Sequence, residues 1–136
     1  MADKIYGECF CGAIQYSLKG PLQPGRCCHC SKCRKAFNGA SSAVTFLKEN
    51  SFKWEKGEEH LTIYANKDNI GLGFCSTCGS SLVALNEKEV FLITLGTLND
   101  NPEIKIKEHI FVGSKACWDE IGGSSPCYEE FPPEHP

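Results

Sequence analysis

Eight of the ten cysteines in this 136-residue chain fall into three tight groups. Their spacing constrains the fold more than any other feature. The groups are Cys9 and Cys11, then Cys27, Cys28, Cys30 and Cys33, then Cys75 and Cys78; Cys117 and Cys127 stand apart. The first residues, "MADKIYGECF", show no apolar run followed by a small-residue cleavage site, so no secretory signal is read. The expected location is cytoplasmic, where thiols stay reduced. Closely spaced cysteine pairs there read as metal sites rather than disulfides. The longest apolar runs, such as "VFLI" at 90–93, are far too short to cross a bilayer.

Cys9 and Cys11 form C-x-C. In extended chain, residues two apart point to one face, so both sulfurs can reach one metal. Cys75 and Cys78 form C-x-x-C in "FCSTCGSSL", a knuckle that aims both thiolates at one point. Gly79 permits the tight backbone that follows. Each pair supplies half of a tetrahedral shell, and the economical reading joins Cys9, Cys11, Cys75 and Cys78 around a structural zinc. The competing reading makes the C-x-C pair two strand cysteines, one of them in the core.

The stretch "CCHCSKCRK" at 27–35 offers more ligands than one ion uses. Cys28, Cys30 and Cys33 have the C-x-C-x-x-C spacing that wraps a chain round a metal, and no matching pair elsewhere completes the shell. Three protein ligands and an open position is the pattern of a catalytic zinc, able to take an exogenous sulfur or oxygen and lower its pKa. Cys27 as a fourth ligand would close the site. Adjacent residues of extended chain point to opposite faces, which favours Cys27 as a packed thiol. His29 is read as a neighbour that hydrogen-bonds the shell.

Most of the chain reads as short strands. Ile14, Tyr16 and Leu18 alternate with Gln15 and Ser17, a half-buried strand that ends at Gly20-Pro21. Strands are also expected over 41–47, 60–65, 71–74, 81–85, 90–98 and 104–112. Turn signals separate them at Glu49-Asn50, Lys56-Gly57, Lys67-Asp68-Asn69, Asn86 to Lys88 and Asn99 to Pro102. The only early helix expected is one or two turns from Ser31 to Phe37. The tail over 124–136 carries four prolines and reads as an extended arm. The expectation is a single domain over 1–136, mainly β, of short antiparallel strands with minor helix. The formal net charge of −3 argues against a nucleic-acid partner.

The segments "GECFCGAIQY" (7–16), "CHCSKCRK" (28–35), "FCSTCGSSL" (74–82), "LGTLND" (95–100) and "HIFVGSKACW" (109–118) together resemble the family of glutathione-dependent formaldehyde-activating enzymes. The resemblance runs over nearly the whole chain. It implies a β-tent zinc-binding fold, a structural zinc on Cys9, Cys11, Cys75 and Cys78, and a second zinc on Cys28, Cys30 and Cys33 near the place where glutathione would bind. The reaction it implies is the condensation of glutathione with formaldehyde, a carbon–sulfur lyase reaction that runs in either direction. On that reading, Cys28, Cys30 and Cys33 are catalytic, and substrate carboxylates need cations. Lys32, Arg34, Lys35 and Lys115 are the candidates, and Arg34 best suits a carboxylate fork. Two other functions fit the same residues. One is a non-catalytic zinc module that binds a protein partner. The other is a thiol redox enzyme using Cys117 and Cys127 as attacking and resolving thiols.

Overall fold

The computed structural model describes residues 4–67 and 70–133. The ends of the chain, including the last residues of the expected arm, and Asp68 and Asn69 of one expected turn lie outside the described residues. The chain is mainly β and packs as two compact units. One is built from the stretches ending at Gln23 and running from Thr45 to Glu103. The other runs from Pro24 to Val44 and from Ile104 onward.

The first unit holds two antiparallel arrays. In one, β1 (Lys4–Glu8) pairs with β2 (Gln15–Lys19), which also pairs with a strand over Phe52–Lys56. Ile14, Tyr16 and Leu18 are wholly buried, as their alternation requires. The strand is not half-exposed, however. Ser17 on the opposite face is 3 % exposed, and its hydroxyl donates to Glu55 Oε2 at 2.6 Å. A buried hydroxyl needs such a partner, and the Phe52–Lys56 strand supplies it. That strand, in chain order β5, follows β3 (Gly25–Cys28) and β4 (Val44–Phe46).

The second is a run of a seven-stranded sheet, the meander of β6 (Leu61–Ala65), β7 (Ile70–Cys75), β8 (Ser81–Asn86) and β9 (Glu89–Thr94). Leu82, Val83, Leu85 and Ile93 join Ile14, Tyr16 and Leu18 in one apolar cluster. Three expected turns carry residues in the left-handed region, at Asn50, Gly57 and Glu87. Gly57 is the one that admits no substitute, because a Cβ there would run into the backbone of Ala13. The strand expected over 90–98 stops at Thr94, whose hydroxyl donates to Ser81 O at 2.8 Å, and Leu95–Thr97 turns into a 3-10 helix.

In the second unit, β3 pairs with β10 (Ile106–Ile110) in parallel, the exception in a chain whose other named strand pairs are antiparallel. The pair is pinned by a buried ion pair: Arg26 Nε and Nη2 both lie 2.6 Å from Glu108 Oε2. The expected strand over 104–112 ends at Ile110, because Phe111 adopts a left-handed conformation and Val112–Ser114 turns into a 3-10 helix. The helix α1 (Ser31–Phe37) occupies the predicted span. From Pro126 the tail lies along β10: His109 N–H donates to Pro126 O, and Tyr128 N–H donates back to His109 O, both at 2.9 Å. Phe131 then packs edge-on against Phe111.

Candidate functional site

Each unit contains one cluster of cysteine sulfurs. In the first, Sγ atoms of Cys9, Cys11, Cys75 and Cys78 all lie within 4.8 Å of one another. Cys9 and Cys11 leave the end of β1. Cys75 closes β7, and the Gly79 N–H donates to Cys75 O at 2.8 Å, folding the knuckle back on itself. Gly79 has φ of 82°, the left-handed conformation its position in the knuckle requires.

Sulfur separations measure how well this shell suits a metal. Cys9 to Cys11 is 3.7 Å and Cys11 to Cys75 is 3.8 Å. A tetrahedron with zinc–sulfur arms of about 2.3 Å has edges of about 3.8 Å, whereas a disulfide would need about 2 Å. Backbone N–H groups already face the sulfurs: Ile14 donates to Cys9 Sγ at 3.3 Å and Thr77 to Cys75 Sγ at 3.4 Å. Such donors stabilise thiolates. The Ser80 side chain, with its backbone, holds the Cys78 thiol down at about 5. Burial alone would raise Cys75, but the backbone of Cys78 and Thr77 outweighs it and leaves the thiol below its ordinary value. The donor set fits a thiophilic dication.

The second cluster is Cys28, Cys30 and Cys33, again with sulfurs within 4.8 Å of one another. Cys28 ends β3, anchored by its N–H to Ser42 Oγ at 3.1 Å. Cys30 is the N-cap of α1, and its sulfur accepts the Cys33 N–H at 3.3 Å. One turn of helix therefore returns Cys33 beside Cys30. Cys33 hydrogen-bonds to Cys28, and with the backbone and side chain of Cys30 and the charge of Arg26 it lowers the Cys28 thiol to about 6 despite burial. Cys33 is pushed up, chiefly by that same hydrogen bond. Within the trio the thiolate form is favoured at Cys28. A dication that displaced the remaining protons would complete the ionisation.

Cys27 does not join the trio. Burial alternates along β3, with Gly25 and Cys27 inside and Arg26 and Cys28 half-buried, so the Cys27 sulfur takes the opposite face. Burial, above all, pushes its thiol up. His29 departs from the expected contact with the shell. It is 2 % exposed, and its Nε2 pairs with His109 Nδ1 at 2.9 Å. Its Nδ1 is buried with no hydrogen-bond partner among the described residues, 3.9 Å from Asp119 Oδ2. Burial leads the influences that lower the His29 pKa. Sequence reasoning missed the roles of His109 and Asp119. Both stand in or beside "HIFVGSKACW", where His109 was the visible signal.

The candidate cations differ in what they do. Arg34 Nη2 donates to Ser114 O at 3.4 Å, while its Nε is buried and has no hydrogen-bond partner among the described residues. Lys115 Nζ donates to Asp119 O at 2.8 Å. Lys32 and Lys35 are exposed on α1. Cys117 and Cys127 are exposed free thiols outside both clusters. No helix among the described residues is long and apolar enough to cross a membrane.

This mainly β chain carries one four-thiol and one three-thiol cluster, each with sulfurs close enough to hold a metal ion. The model of the family "glutathione-dependent formaldehyde-activating enzyme" matches residues 4–114, and the chain belongs to that family. A crystal structure of a Rhodobacter sphaeroides protein is similar in fold: TM-score 0.57, 24% identity, covering 74% of this chain and 98% of that one. No curated protein matches the chain.

Proposed function

We propose that this chain is a zinc-dependent carbon–sulfur lyase that joins a small anionic thiol, glutathione first among them, to an aldehyde such as formaldehyde, or runs the reverse reaction. The proposal includes the β-tent arrangement that the family resemblance implies, two zincs per chain and a cytoplasmic setting. The observation that carries it is the three-thiol cluster, whose sulfurs converge within 4.8 Å and which no fourth cysteine joins among the described residues.

Cys9, Cys11, Cys75 and Cys78 would hold a structural zinc, and Cys28, Cys30 and Cys33 a second one. When bound there, zinc supplies an electrophile that lowers the pKa of a substrate thiol. The chain does the rest. Cys28, Cys30 and Cys33 would hold that ion with three thiolates, and a substrate thiol would supply the next donor. The Arg34 Nε, a buried donor with no acceptor among the described residues, suits a substrate carboxylate. Lys35 and Lys115 add positive charge on a protein that is acidic as a whole. In the reaction a carbon–sulfur bond forms, the carbonyl π bond breaks, and the proton lost by the thiol ends on the new hydroxyl oxygen.

The test is exchange spectroscopy of isotope-labelled formaldehyde with glutathione, since the uncatalysed reaction also proceeds. The zinc-loaded protein should accelerate exchange above that background, and Cys30→Ala should abolish the acceleration while the protein stays folded. A fully loaded protein that leaves the exchange rate at background, yet retains both metals, would instead support the non-catalytic zinc module.

A further inference from the structure

His29 stands between two residues of the three-thiol cluster, and its ring turns to the other face of the strand. The register of β3 with β10 sets Cys27 beside His109 and Cys28 beside Ile110. Side chains alternate along a strand, so His109 shares the face of Cys27, and His29, following Cys28, returns to that face. There the two rings meet, with His29 Nε2 and His109 Nδ1 2.9 Å apart and ring centroids at 5.1 Å.

The backbone on the strand side of His29 is already tied down. The Cys28 N–H donates to Ser42 Oγ at 3.1 Å, the Ser42 N–H to Cys28 O at 3.0 Å, and the His29 N–H to Ile110 O at 2.9 Å. Beyond His29 the chain leaves the sheet and turns into Cys30, the N-cap of α1. The His29 ring, 2 % exposed, is the anchor at that turn. His109 stands on its Nε2 side. On its Nδ1 side Asp119 Oδ2 lies 3.9 Å away. The charge of Asp119 and the backbone of Ala40 favour a hydrogen on the ring, while the charges of His109 and Lys115 oppose one. His109 is itself gripped by the tail: its N–H donates to Pro126 O and its O accepts the Tyr128 N–H, both at 2.9 Å.

We infer that His109 and Asp119 are positioning residues for the three-thiol site: they hold the His29 ring from two sides and so fix the turn on which Cys28 and Cys30 bring their sulfurs beside Cys33. The inference rests on the reading of those three cysteines as ligands of the second zinc. Neither residue touches metal or substrate in this role. A packing role alone would show as lost stability. A positioning role shows as one site that holds its metal less well, because its sulfurs no longer start within 4.8 Å of one another. Groups that orient a metal's ligands from behind carry a measurable share of its affinity.

Competition with a coloured chelator on the zinc-loaded full chain tests the inference. His109→Leu fills the space but cannot hydrogen-bond. It should weaken one zinc equivalent about tenfold or more and leave the other, on the four-thiol cluster, unchanged. Asp119→Ala should weaken the same equivalent. His109→Asn, whose amide can donate to His29 Nε2, should recover most of the loss. Cobalt in place of zinc gives a spectroscopic readout: thiolate-to-cobalt absorption of the second site should change in His109→Leu and return in His109→Asn. Nitrogen NMR of the unaltered chain, which depends on no variant's folding, should show coupling across a hydrogen bond between the two rings. Absence of that coupling overturns the inference. So does Asp119→Ala protein with full affinity, a loss shared by both zinc equivalents, or a loss that His109→Asn does not restore. An unaltered chain that takes up one zinc only removes the second-site reading and the inference with it. Two zincs in the unaltered chain, with no selective loss in His109→Leu, overturn the inference alone.

Discussion

The ring of Tyr16 lies across Gly7, filling the space where any other residue would carry its Cβ. The two are register partners in the β1–β2 pair. They are also the first and last residues of "GECFCGAIQY", so the segment that carries Cys9 and Cys11 is clamped at both ends. Gly7→Ala should force the ring out of its site. Overpacking of this kind costs ~3 kcal/mol, measurable as a lower urea midpoint. A midpoint equal to that of the unaltered chain would show that the ring moves aside freely.

The Tyr16 hydroxyl sets an alkaline limit on stability. It meets Thr97 Oγ1 at 2.7 Å, and burial, opposed by that bond, pushes its pKa up from 10.0 to about 12. Because the folded value lies above the unfolded one, the contribution is complete below pH 10 and is lost as pH rises towards 12. Tyr16→Phe forfeits a hydrogen bond worth ~1 kcal/mol at neutral pH but escapes the alkaline loss. The stability gap between the two proteins should therefore narrow as pH rises past 10.0 and reverse before about 12. A gap constant with pH would mean that the buried hydroxyl ionises as freely as an exposed one.

Glu108 supplies the carboxylate for Arg26 where β3 and β10 run in parallel, with side-chain exposures of 7% and 19%. Removing one partner of a buried pair costs far more than replacing both with apolar groups. Glu108→Gln should destabilise the chain by about 3 kcal/mol, and the double variant Arg26→Met with Glu108→Met should regain most of it. Thermal unfolding of the two variants decides the matter. Equal losses would mean that packing, not charge, is the source of the stability.

What could be read from the sequence was whatever local spacing dictates. The helix Ser31–Phe37 was legible because Cys30 and Cys33 lie one helical turn apart, and the two thiol clusters because each begins with cysteines that a short segment aims together. The strands β1, β3 and β5 were not read. The first two are short and interrupted by Gly7 or by adjacent cysteines. Phe52 and Trp54 do alternate in β5, yet charged neighbours hide the pattern. Pairs made by tertiary structure left no local trace. His29 with His109, Ser17 with Glu55 and Arg26 with Glu108 each join residues from distant segments.

Cys75 closes β7 and shares a cluster with Cys9 and Cys11 at the opening of the chain. A metal held there joins distant segments, so its binding is coupled to folding. Cys75→Ser should lose one zinc equivalent and melt at least ~10 °C lower, the shift that follows from a loss of a few kcal/mol in a domain of this size. Zinc content by absorption spectroscopy and melting by circular dichroism are the measurements. Full metal content with an unchanged melting point would remove Cys75 from the structural site.

Cys27 and Cys30 stand three positions apart and should respond oppositely to truncation. Cys27 is 8 % exposed on the inner face of β3, where a thiol behaves as a small apolar group. Cys27→Ala leaves a small void costing ~1 kcal/mol and should keep every zinc equivalent. Cys30 carries two duties, as a member of the three-sulfur cluster and as the acceptor for the Cys33 N–H that caps α1. Cys30→Ala should cost about 1 kcal/mol through the cap and release the second zinc, with the first retained. Cys30→Ser separates the two duties, because a hydroxyl oxygen restores the cap but is a poor substitute for a thiolate on zinc. Its stability should return towards that of the unaltered chain while its zinc content stays low. Metal loss from Cys27→Ala instead would place the Cys27 sulfur in the shell and close the position proposed for substrate.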